Sequence, residues 1–220
     1  MRNITNRAKT SLLGAIVLAA WLLSGCSMLL PANSPPPTLF SFDSPESAMQ
    51  MEPATPIKVG APTLIVSIPR AAAGFDSYQI VYIRHAHTFE YFRQSQWLDT
   101  PANMLAPLVV AALERSGVFS AVIRSPTSVV GQLRLDLEIV RLQNEFLMLP
   151  SQAHFTLRAH LVDTVSRQVV AWREFDAMVP ATSEDPYGSV LAANSAVRSV
   201  IKELVFFCRQ TAMSFSEIKR

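Results

Sequence analysis

The sequence predicts an α+β fold, in which an antiparallel or mixed sheet packs with two main helices at about residues 101–116 and 187–209. Several segments alternate apolar and polar side chains with the period of two that is typical of strands, and two segments repeat apolar side chains at helical spacing. One helical segment follows the first four strand-like segments, and the other comes last. This segregation of helices from strands favours α+β over an alternating α/β order.

The two helices are predicted from their borders and their apolar stripes. Thr100 offers a hydroxyl for the N-cap and Pro101 suits the first turn, while Gly117 suits the C-terminal cap. The second helix is expected over Tyr187–Arg209. The apolar positions are Met104, Leu105, Leu108, Val109, Ala112 and Leu113 in the first helix, and Ala193, Val197, Val200, Leu204 and Phe207 in the second.

The predicted strands form an early group and a later meander. The early strands are Thr38–Asp43, Thr63–Ile68, Tyr78–Arg84, His87–Phe92 and Val118–Ile123. The meander begins with a long strand from Leu133, whose alternation slips near Val140 and so predicts a β-bulge. Ala153–Leu161 and Gln168–Phe175 complete it, on either side of a turn at Asp163–Arg167. Each meander strand has one apolar and one polar face, as in an antiparallel sheet with one solvated side.

The N-terminus carries an export signal. Three basic residues and no acidic ones precede Ser11–Leu23, an apolar run too short to span a bilayer. The following string, Leu23-Ser24-Gly25-Cys26, resembles the lipobox of bacterial lipoproteins, in which the cysteine thiol is diacylated and the signal is cleaved before it. We therefore predict that residues 1–25 are a lipoprotein signal peptide and that Cys26 is the lipid-carrying first residue of the mature protein.

The mature chain is predicted to be a tether, one domain and a short tail. Residues 26–37 include four prolines and form the tether, of which the 11 residues after Cys26 reach at most roughly 36–40 Å. Residues 38–210 form the domain, with a proline-rich surface loop at Ser44–Pro62, and residues 211–220 form the C-terminal tail.

Charge argues against a nucleic-acid-binding protein, and cysteine content excludes a disulfide-stabilised scaffold. The full chain has 19 Lys+Arg and 17 Asp+Glu, but three of the basic residues lie in the signal peptide, which leaves the mature chain at −1. The mature chain therefore lacks the basic patch that would indicate nucleic-acid binding. With Cys26 acylated, Cys208 has no partner for a disulfide, and its apolar helical setting predicts a buried thiol.

Catalytic, cofactor-binding and metal-binding residues are not predicted. His85 and His87 would share a strand face but lack a third ligand, and His154 and His160 are interpreted as solvated histidines of the polar face. The carboxylate pairs Asp136/Glu138 and Glu184/Asp185 are interpreted as structural. The chain also lacks G-x-S-x-G, G-x-G-x-x-G and P-loop spacings.

Two apolar segments are candidate contact sites. Phe146-Leu147-Met148-Leu149-Pro150 joins two long strands where a polar turn is usual, so its first four residues are candidates for contact with a partner, with lipid or with a second copy. The alternative is that these strand ends fold into the core. An aromatic cluster of Phe89, Tyr91, Phe92 and Trp97 is interpreted as core rather than as a ligand site.

The stretch from Ile80 to Gly117 resembles the ABC-type transport auxiliary lipoprotein family. The matching pieces are Ile80-Val81-Tyr82, Trp97, Pro101, Met104-Leu105, Leu113 and Ser116-Gly117-Val118-Phe119, followed by the Leu133–Leu137 strand, the Asp163 hairpin and the final helix. Leu39–Asp43 is similar to the family's first strand. The resemblance covers most of residues 38–210.

This resemblance implies a non-enzymatic α+β domain that faces the periplasm. Its partners would be an ABC permease, its ATPase and an MCE-family substrate-binding protein, and the system would move phospholipids or related hydrophobic molecules between the inner and outer membranes. Ser27 follows Cys26, and in many enteric-type bacteria a residue other than Asp here favours sorting to the outer membrane. An envelope assembly scaffold and an envelope hydrolase remain the alternatives.

Overall fold

The structure is a computed structural model that describes residues 35–43, 56 and 60–218. The signal peptide, Cys26, most of the tether and most of the Ser44–Pro62 loop lie outside the described residues. The predictions made for these segments therefore stay predictions.

The described residues form nine strands and two helices. The strands are β1 Thr38–Phe40, β2 Thr63–Val66, β3 Arg70–Ala71, β4 Gln79–Ile83, β5 Glu90–Trp97, β6 Ala121–Arg124, β7 Leu133–Glu145, β8 Gln152–Asp163 and β9 Val169–Pro180. The helices are α1 Pro101–Arg115 and α2 Pro186–Ile218. All nine strands belong to one mixed sheet, which confirms the predicted α+β class.

Strand β7 is the central strand of this sheet. Along one side it pairs with β8 in antiparallel register, and β8 pairs in turn with β9, which is an edge strand. Along its other side β7 pairs in parallel with β2, then β3, then β4. Strand β6 extends the sheet from β2, while β5 and β1 extend it from β4. The β7–β8 register shifts between Ile139 and Arg141, which confirms the bulge predicted near Val140.

The core lies between one face of the sheet and the two helices. Helix α2 packs against β8 and β9, and α1 packs against α2 and β6. The alternating leucines of β7 and the inward side chains of β8, such as Phe155 and Leu157, are fully buried. Cys208 lies in the same core, where burial raises the pKa of its thiol to about 12, so the predicted buried thiol is confirmed.

Helix α2 is longer than predicted. It was expected to end at Arg209 and to leave residues 211–220 as a tail, but it continues to Ile218. The reason is that its apolar stripe continues through Ala212 and Phe215, both of which are buried in the core. The polar residues between them masked this continuation in the sequence.

The start of α1 does not have the predicted capping group. The Thr100 side chain makes no capping hydrogen bond. Instead, Asp99 Oδ1 accepts hydrogen bonds from the Thr100 backbone N–H at 2.6 Å and from Asn103 Nδ2 at 3.0 Å. Gly117 follows the helix with φ of 63°, the left-handed conformation expected of a C-terminal cap.

Several strand boundaries were also wrong. Strand β2 ends at Val66 and not at Ile68, and β6 begins at Ala121 and not at Val118. Strand β1 ends at Phe40 because Asp43 turns toward α2, where its N–H donates to Asn194 Oδ1 at 2.7 Å and its carboxylate pairs with Arg198. Strand β5 starts at Glu90 and runs to Trp97, since polar Gln94–Gln96 continue the pairing. Strand β9 extends to Pro180 because its pairing with β8 continues to Gln152.

Candidate functional site

The β7–β8 loop exposes three consecutive apolar side chains. Leu147, Met148 and Leu149 are 51%, 64% and 81% exposed. We call these three residues the apolar tip. Met148 makes one weak contact, at 3.7 Å between its sulfur and Gln152 Nε2, which donates to it. The fold therefore leaves the surface of the tip to solvent.

Phe146 is the exception among the four candidate contact residues, because it packs against the sheet. Its ring centroid lies 5.6 Å from that of Tyr82 and 6.3 Å from that of Phe92, both in edge-on geometry. Its backbone N–H donates to the Ile83 carbonyl oxygen at 2.8 Å. The side chain is half-buried against these rings, so Phe146 packs on the sheet whereas the tip does not.

The far side of the loop is held by the segment that precedes α2. The Ser151 N–H donates to Glu184 Oε1 at 3.0 Å, and the Ala181 N–H donates to the Ser151 carbonyl at 2.7 Å. The neighbouring Asp185 accepts a hydrogen bond from the Gly188 N–H at 2.8 Å, in the first turn of α2. Both carboxylates thus have structural partners. The tip projects from a loop whose two ends are fixed, at Phe146 by the sheet and at Ser151 by the segment before α2.

The predicted aromatic cluster divides into buried and exposed members. Trp97 is 2% exposed and Phe92 packs against the core, in agreement with the core interpretation. Phe89 and Tyr91, however, are 55% and 40% exposed. Phe89 lies in the β4–β5 loop and stacks edge-on with Phe75, at 6.0 Å between ring centroids.

His85 and His87 do not share a strand face. Both are exposed residues of the turn between β4 and β5, where the His85 carbonyl accepts the Thr88 N–H at 3.2 Å. His87 has φ of 65°, a left-handed conformation that occurs in turns and not in strands. Among residues 35–43, 56 and 60–218, no group of three or more His, Cys, Asp or Glu side chains is arranged to hold a metal ion.

His154 lies in a charged network, and its interpretation as a solvated histidine was wrong. The residue is 8% exposed. Its Nδ1 lies 2.8 Å from Glu145 Oε1, and its Nε2 lies 2.9 Å from Asp176 Oδ1. Burial alone would raise the pKa of Asp176, but hydrogen bonds from Thr156 and His154 outweigh burial and hold that pKa below its ordinary value. Sequence alternation placed His154 on the polar face and could not reveal these cross-strand partners.

Ion pairs continue this network along the outer face of the meander. Arg158 pairs with Glu138 at 3.1 Å and with Glu174 at 2.8 Å. Arg134 and Asp136 pair at 2.8 Å. The carboxylates predicted to be structural on β7 therefore neutralise arginines of the same face.

An exposed tryptophan interrupts the polar outer face. Trp172 of β9 is 63% exposed and stacks on His160, with 6.2 Å between ring centroids. The two residues line a shallow open depression together with Arg158, Val169 and Glu174. Trp172 was not among the predicted contact residues, although a tryptophan on the polar face of a strand is the signal that could have indicated it.

Comparison with known proteins identifies the family of this chain. The model of a family described as the ABC-type transport auxiliary lipoprotein component matches residues 45–205. The chain belongs to this family, as the resemblance predicted. Membership in a lipoprotein family indicates a membrane-associated location in the cell envelope. No helix within the described ranges combines the length and apolar character needed to cross a bilayer.

Solved structures support the fold. The chain is similar to protein XCC0632 from Xanthomonas campestris, of family DUF330, with 23% identity, a TM-score of 0.68 and coverage of 82% of this chain and 99% of that chain. It is also similar to an uncharacterized protein, with 11% identity, a TM-score of 0.55 and coverage of 70% of this chain and 97% of that chain. A comparison with curated proteins found no significant match.

Proposed function

We propose that this protein is a non-enzymatic, periplasm-facing lipoprotein subunit of an ABC/MCE-type intermembrane transport system. The system would move phospholipids or related hydrophobic molecules between the inner and outer membranes. The observation that carries the proposal is the family match over residues 45–205, joined to the lipobox at Leu23–Cys26. The partners are the ABC permease with its ATPase and an MCE-family substrate-binding protein.

The acyl chains on Cys26 hold the protein at the periplasmic face of the outer membrane. Each methylene of an acyl chain that enters the bilayer contributes about 0.8 kcal/mol, so two or three long chains make dissociation negligible. Ser27 supports the choice of the outer membrane.

The domain contributes binding surfaces to this system. The carboxylate pairs considered as acid–base candidates have structural partners: Glu184 and Asp185 order the start of α2, and the carboxylates on β7 pair with arginines. Such contacts support a scaffold for docking rather than a reactive site. The apolar tip and the Trp172 region of the outer face are two of the exposed surfaces that could bind a partner or lipid.

In-cell photocrosslinking tests the proposal. A benzophenone amino acid would replace Trp172, Leu149 or Phe206, which are exposed on three different surfaces. We expect at least one position to yield a product that contains the MCE-family protein or the permease. The matched control is the same variant in cells that lack the MCE gene, where that product should disappear. Products with neither partner at any position, together with unchanged lipid exchange in cells that lack this protein, would contradict the proposal.

A further inference from the structure

Two loops lie at the same end of the sheet. Strands β4 and β7 are parallel and in register from Tyr82–Asn144 to Ile83–Glu145, so both end at one level. The β4–β5 loop and the β7–β8 loop therefore emerge side by side. The pairing of Gln152 with Pro180 brings the end of β9 to this level as well. We call this the tip end of the sheet.

Strand β1 shows from which end of the sheet the described chain enters the domain. It runs parallel to β5, with Thr38 opposite Ser95 and Phe40 opposite Trp97. The chain that precedes Thr38 therefore leaves in the direction of Glu90, where β5 begins at the tip end. Five residues separate Ser95 from Glu90, which is at most about 17 Å of strand. The tether can reach roughly 36–40 Å when stretched, so Cys26 can lie at or beyond the tip end.

The tip end carries exposed apolar and aromatic side chains on a fixed base. Leu147, Met148 and Leu149 project from the β7–β8 loop. Phe89 in the β4–β5 loop and Tyr187 in the first turn of α2 are 55% and 60% exposed at the same end. Aromatic side chains such as tyrosine, with an apolar ring and a polar atom, are enriched at membrane interfaces.

The opposite end of the sheet also exposes apolar side chains, so exposure alone does not identify the membrane side. Val130, before β7, and Val165, in the β8–β9 turn, are 88% and 78% exposed. The direction of β1 distinguishes the two ends, because the described chain enters this strand from the end of the apolar tip and not from the end of the two valines.

We propose that the apolar tip is inserted in the bilayer that holds the acylated Cys26. The protein would then have two membrane contacts, the acyl chains and the side chains of Leu147, Met148 and Leu149. The contact orients the domain, with the tip end on the lipid surface and the β8–β9 turn facing the periplasm. This inference rests on the lipid anchor of the proposed function but does not require the MCE partner.

Fluorescence quenching by spin-labelled lipids tests the contact in the full mature lipoprotein. An environment-sensitive thiol dye would be placed at M148C or, as the matched control, at V165C. Cys208 is fully buried with a raised pKa, and acylation blocks Cys26, so labelling is confined to the introduced thiol. In vesicles that contain acyl-chain nitroxide lipids, the dye at position 148 should lose most of its emission and the dye at position 165 should keep it.

A second pair of variants separates insertion from mere proximity. Adding L147S and L149S to the M148C protein should remove the tip from the bilayer and so restore the emission of the dye at position 148. Adding V129S and V130S at the opposite end should leave that emission quenched. Melting temperatures would show that all variants are folded. Equal quenching at positions 148 and 165 would overturn the proposal. Quenching at position 148 that persists with both serines would also overturn it. So would a blue shift of the dye's emission at position 148 that occurs only when a second copy of the chain or the MCE protein is present.

Two further measurements keep this test separate from that of the proposed function. Mass spectrometry of the same preparation would establish acylation of Cys26. Crosslinking to the MCE protein is scored independently. A water-exposed tip on an acylated protein that still crosslinks to its partner would therefore refute the insertion alone.

Discussion

Replacing Trp97 by alanine should lower the free energy of unfolding by about 3–5 kcal/mol, the usual cost of removing a large buried aromatic side chain. The indole is 2% exposed, and its ring meets that of Phe42 edge-on with 5.2 Å between centroids. Trp97 also pairs with Phe40, so the cavity would loosen the attachment of β1. For a domain of this size, 1 kcal/mol corresponds to about 2–4 °C, so the melting temperature should fall by roughly 6–20 °C.

Urea and thermal unfolding, followed by circular dichroism, would measure this effect. Circular dichroism is the suitable probe because the substitution removes a fluorophore. The control is Trp97→Phe, which keeps an aromatic ring opposite Phe42 and should lose less stability. An unchanged slope with a lower midpoint would show a change in stability alone. A Trp97→Ala protein with the midpoint of the parent would refute the burial argument and assign Trp97 to the surface.

Three other substitutions test the anchor, a helix start and the charged network. Cys26→Ala should leave an uncleaved or mis-sorted protein that no longer partitions with membranes through acyl chains, and an unmodified Cys26 in the mature parent, seen by mass spectrometry, would contradict the anchor. Gly188→Ala should lower the melting temperature although alanine favours helices by about 1 kcal/mol, because the new Cβ would lie 2.3 Å from the Ser183 carbonyl oxygen; a higher melting temperature would show that the segment yields. Asp176→Asn should flatten the loss of stability in acid, because the pKa of Asp176 lies below its ordinary value and its contribution, present above about pH 4, is lost as the pH falls further. Parallel plots of melting temperature against pH for the parent and the variant would rule out this contribution.

Local patterns predicted the parts of the fold that depend on neighbouring residues. The leucine alternation of β7, its bulge near Val140 and the cap at Gly117 are all visible in a few consecutive residues, and the structure confirms them. The α+β class followed from the order of such segments.

Contacts between distant parts of the chain account for the errors. Polar Gln94–Gln96 continue β5 because β1 and β4 pair with that strand, and Ala212 continues α2 because the core extends beneath it. The burial of His154 depends on Asp176, 22 residues away on β9. None of these partners can be found from periodicity.

The candidate site was predicted in part. Apolar residues between two long strands indicated a segment of which Leu147 to Leu149 are exposed, while their contact role stays a prediction. Phe146 could not be separated from Leu147 without the rings of Tyr82 and Phe92. Trp172 was missed because strand alternation assigns a residue to a face but does not show whether a large apolar side chain on the polar face is covered. The end of the sheet from which the described chain enters β1 became apparent only from the pairing of β1 with β5.

Helix α2 gives the domain a fixed height. Its 33 residues span about 50 Å at 1.5 Å per residue. The helix starts beside the apolar tip, through the contact of Glu184 with Ser151, and runs back toward α1, where Arg209 donates to the Ser116 carbonyl at 3.4 Å. If the tip is inserted as proposed, the length of this helix sets how far the opposite end of the domain stands from the lipid. A partner that docks at that end would thus meet this protein at a constant distance from the membrane.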